Sequence, residues 1–192
     1  MKHLKPKKII LIGASTGGPG EINKIIKSLP SLESTSIVIA QHMSDGFLES
    51  FMDRLKQLSP NNVELTKNSK VLNRSTIYVC ENSISLIKDK NDLIFFENKR
   101  TQNCFNPDIN LIFNSFTSLC KEIEILSVIL TGIGDDGVEA CINLSNNTAR
   151  CITQTHESAI IDGMPNRARE LVPNIEAYDM NEIIQIISEF CE

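Results

Sequence analysis

The run Ile9-Ile10-Leu11-Ile12-Gly13-Ala14-Ser15-Thr16-Gly17-Gly18-Pro19-Gly20 passes from four apolar residues of strand character into a small, glycine-rich turn that carries one serine. Ile22, Ile25, Ile26 and Leu29 follow at helical spacing. Strand–turn–helix geometry holds a hydroxyl at the open end of a sheet, within reach of both a substrate and a base. The same geometry suits a phosphate at a helix N-terminus, so the turn alone leaves the chemistry open. Two further turns narrow it. One follows an expected strand at 37–40 and bears His42; the other follows an expected strand at 125–130 and bears Asp135 and Asp136.

Strands and amphipathic helices alternate along most of the chain. Phe47, Leu48, Phe51, Met52, Leu55 and Leu58 mark a second helix with Ser44 or Asp45 at its N-cap. Short strand-like runs at 63–65, 76–80, 85–87 and 93–96 read as a β-rich excursion with antiparallel hairpins at a sheet edge. Helix returns from Pro107 in a first turn through Ile109, Ile112, Phe113, Phe116 and Cys120. Val138, Cys141, Ile142 and Leu144 follow the acidic turn. A strand at 151–153, a short helix opening at Pro165 and a closing helix of Ile183, Ile184, Ile187 and Phe190 complete the pattern. It predicts an α/β fold: a doubly wound, mostly parallel sheet with helices on both faces, three-layered and Rossmann-like, with a β-hairpin excursion. Ligands of such sheets bind beyond the carboxyl ends of the strands. Ser15, His42 and Asp136 each follow a predicted strand, which places all three on one sheet edge.

Composition excludes several classes. The 192 residues suit one domain, 1–192, with a flexible tail over 1–7, and a chain of this size buries roughly 70% of its unfolded surface. Apolar residues make up 41% and charged residues 22%, with a net charge of −5 and no basic stripe for nucleic acid. The lysines at 2, 5, 7 and 8 read as a solvated tail. The six cysteines carry no C-x-x-C pair, which argues against a zinc site or a disulfide framework and for free thiols in a reducing cytoplasm. No apolar run is long enough for a membrane span, and the N-terminus has no signal-peptide core.

A serine hydroxyl needs an adjacent base, a histidine supplies one, and a carboxylate fixes the histidine's tautomer. Residues of all three types stand at strand ends. The glycines around Ser15 leave room for a substrate, and backbone N–H groups near Thr16 and at 132–134 suit a developing oxyanion. Each residue also has an ordinary role. Ser15 suits a cap for the helix near Pro19, His42 a satisfied strand-end histidine, and Asp135 and Asp136 a cap for the helix near Val138.

The quoted motifs resemble the catalytic domain of the chemotaxis protein-glutamate methylesterases, the CheB family. Gly13-Ala14-Ser15-Thr16-Gly17-Gly18 resembles the nucleophile turn, and Gln41-His42-Met43 with Gly46-Phe47 the histidine segment. Thr131-Gly132-Ile133-Gly134-Asp135-Asp136-Gly137 resembles the acidic turn, and Gly163-Met164-Pro165 a late structural motif. The resemblance implies a doubly wound α/β domain with Ser15 as nucleophile, His42 as general acid–base and Asp136 as the orienting carboxylate. Thr16, Gly17, Ile133 and Gly134 fall at oxyanion or substrate positions.

It also implies a cytoplasmic hydrolase of γ-methyl glutamate esters, with glutamine deamidation as a second activity and no cofactor or metal. The implied partners are methyl-accepting chemoreceptor helices, with no nucleic acid, no membrane insertion and a monomeric state. A phosphate- or nucleotide-binding α/β domain and a receptor-docking scaffold without turnover are the alternatives. Three segments depart from the family pattern: Tyr78-Val79-Cys80-Glu81, Asn106-Pro107-Asp108 and Asp162 before Gly163. With seven or eight residues before the first strand, no N-terminal receiver domain is expected.

Overall fold

The computed structural model describes residues 4–98 and 106–192. The chain opens with β1 (Lys8–Ala14), α1 (Gly18–Ser28), β2 (Thr35–Gln41) and α2 (Asp45–Leu58). It continues through β3 (Asn62–Leu65), β4 (Thr76–Val79), β5 (Ile84–Asp89), β6 (Asp92–Glu97) and α3 (Ile109–Asn114). It closes with β7 (Glu124–Ile129), α4 (Val138–Asn146), β8 (Arg150–Gln154), α5 (Gly163–Leu171), β9 (Glu176–Tyr178) and α6 (Met180–Cys191).

Seven parallel strands form one sheet in the order β3-β4-β2-β1-β7-β8-β9. β1 is its centre, and the winding reverses there: from β1 the chain moves first to β2 on one side and returns later to β7 on the other. Strands buried on both faces must be apolar at successive positions, and β1 shows the result. Its odd residues Ile9 and Leu11 pack into one core with α3, α4, α5 and the β5–β6 hairpin. Its even residues Ile10 and Ile12 pack into the other with α1, α2 and α6. The expected doubly wound α/β architecture is what the chain adopts.

The middle of the chain departs from expectation. Among the described residues only β5 and β6 form an antiparallel hairpin; β3 and β4 join the main parallel sheet as its outer strands. Short, half-polar strands carry too little periodicity to distinguish these pairings. The helix expected from Pro107 to Cys120 is a six-residue α3 followed by a 3-10 turn at Thr117–Leu119. Asp108, which accepts from Leu111 N at 2.8 Å, sets its start. The expected helix at Pro165 begins two residues earlier, and β9 has too little apolar character to be seen beforehand. The described part of the tail is tied to the sheet. Lys7 N donates to Ser34 O, Glu124 N donates to Lys7 O, and Lys5 pairs with Glu122 at 3.0 Å. Residues 1–3 lie outside the described residues, as does Cys104.

Phe113 on α3 is fully buried and lies against Gly13 at the end of β1. Truncating a buried aromatic removes its transfer energy and leaves a cavity. Phe113→Ala is expected to destabilise the fold by about 3–5 kcal/mol, read as a lower midpoint in urea denaturation.

Candidate active site

The β1–β2 register places Ala14 opposite Gln41, and His42 N extends the ladder by donating to Ala14 O at 2.9 Å. Ser15 N turns the other way and donates to Thr131 O at 3.0 Å. The serine and the histidine therefore leave adjacent strand ends, and both line one cavity of about 510 Å³. Thr16 and Gly17 share that lining, while Asp136, Ile133 and Gly134 stand outside it. Ser15 does not cap α1. The N-cap is Gly17, in the left-handed region at φ 87°, and no side chain bonds there. The Ser15 hydroxyl has no hydrogen-bond partner among the described residues.

Asp136 is buried, whereas its neighbour Asp135 is exposed. Its carboxylate accepts three hydrogen bonds. His42 Nε2 lies 2.7 Å from Oδ2, Ile109 N donates to Oδ2 at 2.8 Å, and Asn110 N donates to Oδ1 at 2.9 Å. The two amides belong to the first turn of α3, where backbone N–H groups lack intrahelical partners. A carboxylate offers only acceptors, so this contact fixes the imidazole's Nε2 as the donor. In that tautomer Nδ1 is the basic nitrogen of the ring. Neither Asp135 nor Asp136 caps α4, whose N-cap is Gly137.

Two side chains that carried no role in the sequence hold the Ser15 turn in place. Gln41 is buried, and its Nε2 donates to both Ser15 O and His42 O, each at 2.8 Å. Gly18 lies directly over the Gln41 amide, so any Cβ at residue 18 would collide with it. On the far side Thr131 Oγ1 donates to Thr16 O at 2.9 Å and accepts from Ile161 N at 2.8 Å. Thr131 N in turn donates to Gln154 Oε1 at 2.7 Å. Buried glutamines at strand ends are a detectable signal, because an amide is costly to bury without partners.

The turn at 132–134 packs against the serine. A Cβ on Gly132 would stand 2.7 Å from Ser15 Cβ. Met164 N donates to Gly132 O, and a Cβ on Gly163 would meet Gly132 O at 2.6 Å. The Gly163-Met164-Pro165 motif thus presses the turn onto the site. The backbone N–H groups of Thr16, Ile133 and Gly134 have no acceptor among the described residues, which leaves them available to an anion. Cys80 also sits at a strand end, but burial pushes its thiol up to about 12, so it is no rival nucleophile. Asp162, bridged to Gly132, holds Arg169 at 2.6 Å and His156 Nδ1 at 2.7 Å. Burial alone would raise its carboxyl; the bonds from Arg169 and His156 outweigh that and hold it below the ordinary 3.8.

Fold and site together define a doubly wound α/β protein that gathers an imidazole–carboxylate pair and a serine at its topological switch point. The chain belongs to the CheB methylesterase family, whose model matches residues 10–187. It is similar to protein-glutamate methylesterase/protein-glutamine glutaminase 2 of Carboxydothermus hydrogenoformans, at 33% identity over 85% of this chain and 48% of that protein. It is also similar to the Bacillus subtilis protein-glutamate methylesterase/protein-glutamine glutaminase, at 32% identity over 84% of this chain and 46% of that one. The chain thus spans about half the length of the curated relatives it matches. The Thermotoga maritima CheB methylesterase catalytic domain superposes with a TM-score of 0.86 at 25% identity, covering 95% of this chain and 97% of that one.

Gln41→Leu keeps the volume and removes the donor shared by two partly buried carbonyls. It should cost about 1–3 kcal/mol in denaturant unfolding. Asp162→Asn should lower the melting temperature at neutral pH. Because the folded carboxyl titrates below its unfolded value, wild type's advantage is complete above pH 3.8 and is lost as pH falls through the folded value. Melting curves from pH 7 to pH 2.5 should show the gap closing.

Proposed function

We propose that this chain is a serine hydrolase that removes methyl groups from glutamate γ-methyl esters of chemoreceptor proteins. The observation that carries the reading is the 2.7 Å bond between His42 and Asp136 beside the cavity that His42 shares with Ser15. The names of the relatives support the substrate class and a second activity on glutamine side chains. No helix among the described residues is long and apolar enough to cross a membrane, which fits an enzyme that meets the cytoplasmic helices of receptors from solution.

In this mechanism His42 Nδ1 takes the Ser15 hydroxyl proton as Oγ attacks the ester carbonyl. The carbonyl π electrons move onto oxygen, and the N–H groups of Thr16 and Ile133, with Gly134 beside them, receive the oxyanion. Collapse breaks the bond to the methoxy oxygen, which takes the proton from the imidazolium and leaves as methanol. Water then gives its proton to Nδ1 and attacks the acyl-enzyme; glutamate and free Ser15 result. Asp136 keeps Nε2 protonated throughout and stabilises the imidazolium. With a glutamine substrate the leaving group is ammonia and the remaining steps are the same.

Ser15→Ala should abolish methanol release from methylated receptor membranes while leaving the melting curve in place. Asp136→Asn should lower kcat by about 10⁴-fold, as loss of the tautomer-fixing charge does in other triads. Release that survives in Ser15→Ala would overturn the assignment, as would failure of a fluorophosphonate to label Ser15.

A further inference from the structure

The cavity beside Ser15 extends away from Asp136, between α1 and α2. One wall is Pro19 and Asn23 of α1; the other is Phe47, Ser50, Phe51 and Arg54 of α2. Residues 47, 50, 51 and 54 recur at three- and four-residue spacing, so a single face of α2 lines the groove. Among the described residues none of the lining side chains is acidic, and Arg54 is their one cation. Arg54 forms no ion pair with any described acid, although the chain as a whole carries a net charge of −5.

Two further features mark the groove as built to receive something. Asn23 Oδ1 is shielded from solvent yet has no donor. Phe47, which lines the groove together with His42, is 67% exposed. An apolar wall, an acceptor without a donor and a guanidinium beside no described acid together fit a polypeptide that brings a side-chain N–H donor and an acidic side chain. The chemistry described above needs none of these groups.

We propose that this groove seats the substrate polypeptide as a helix and that Arg54 is a specificity residue for a second carboxylate on it. This rests on the hydrolase reading and adds the chemistry recognised away from the ester. Along α2, Arg54 lies seven residues beyond Phe47, about 10 Å at 1.5 Å per residue. A substrate helix lying alongside α2 spans that distance in the same number of residues. The carboxylate read by Arg54 therefore stands about two helical turns from the esterified glutamate. A partly exposed, charge-assisted contact of this kind is worth about a fivefold preference.

The test uses Ala-rich peptides of about twenty residues, long enough to hold helix in water. Each carries one glutamate γ-methyl ester and, seven residues to its N- or C-terminal side, either glutamate or methionine. With the wild-type protein, one of the two glutamate placements should raise kcat/KM about fivefold over methionine, through KM. In Arg54→Gln that ratio should fall to about one, and in Arg54→Glu a lysine at the same position should become the preferred residue. Equal kcat/KM for glutamate and methionine in wild type would overturn the proposal, and so would an unchanged preference in Arg54→Gln. Absence of turnover on every peptide together with no fluorophosphonate labelling of Ser15 would instead overturn the hydrolase reading on which it rests.

Discussion

The hydrogen bond between His42 Nε2 and Asp136 Oδ2 joins residues 94 positions apart, and the site depends on it. It is stable only because the carboxylate is otherwise satisfied. A buried carboxylate with fewer donors would be costly to keep charged, and a neutral one would no longer hold the imidazole's tautomer. The amides of Ile109 and Asn110 supply the remaining donors, and each bond to a charged group contributes about 1.5–3 kcal/mol. The short helix α3 thus serves the site through its first turn, and Asp108, which caps it, keeps those amides aimed at Asp136. Through the side chain of Asn110, which accepts from Ala140 N at 2.9 Å, the same turn is fastened to α4.

The parallel sheet makes this convergence possible. With β1 between β2 and β7, three consecutive strand ends point the same way, and the turns that follow them are neighbours without any special arrangement of the loops. The remaining adjustment falls to buried polar side chains. Gln41 ties the carbonyls after β1 and β2 together, and Thr131 ties the turn after β1 to the segment after β7. Gly18 and Gly132 are required for close approach, since a Cβ at either would enter space held by Gln41 or Ser15.

Much of this was legible in the sequence because it follows from burial. Strands covered on both faces must read as near-continuous apolar runs, and 9–12, 37–40 and 125–130, interrupted only by Ser127, do; the turns after them follow directly. The pairing of β3 and β4 was not legible, because strands of only four residues look alike in sequence whether they join a parallel sheet or a hairpin. Nor was the shortening of α3, where Phe116 and Leu119 keep a helical spacing although the backbone has tightened into a 3-10 turn. In the site the side chains of Ser15, His42 and Asp136 were nameable, whereas the donors that fix them were not. Ile109 and Asn110 act through backbone N–H groups, which leave no trace in residue identity. Gln41 was visible only as a neighbour of the histidine; its clamp depends on which carbonyls lie above it in space.

The two sides of Ser15 differ physically. Toward Asp136 the carboxylate, Thr131 and Gln154 are tied by hydrogen bonds, and glycines are pressed against neighbouring groups. Toward α2 the surface is open, with an exposed phenylalanine, an unpartnered amide oxygen and a cation facing no acid. Preorganised donors are effective only when held rigid, while a surface that accepts different polypeptide sequences gains from groups left unsatisfied until the partner arrives. That division is a reason for the fold to place the imidazole–carboxylate pair on one side of Ser15 and leave the other side to two helices. A substitution on α2 can alter what is bound without disturbing the bonds that hold His42 to Asp136.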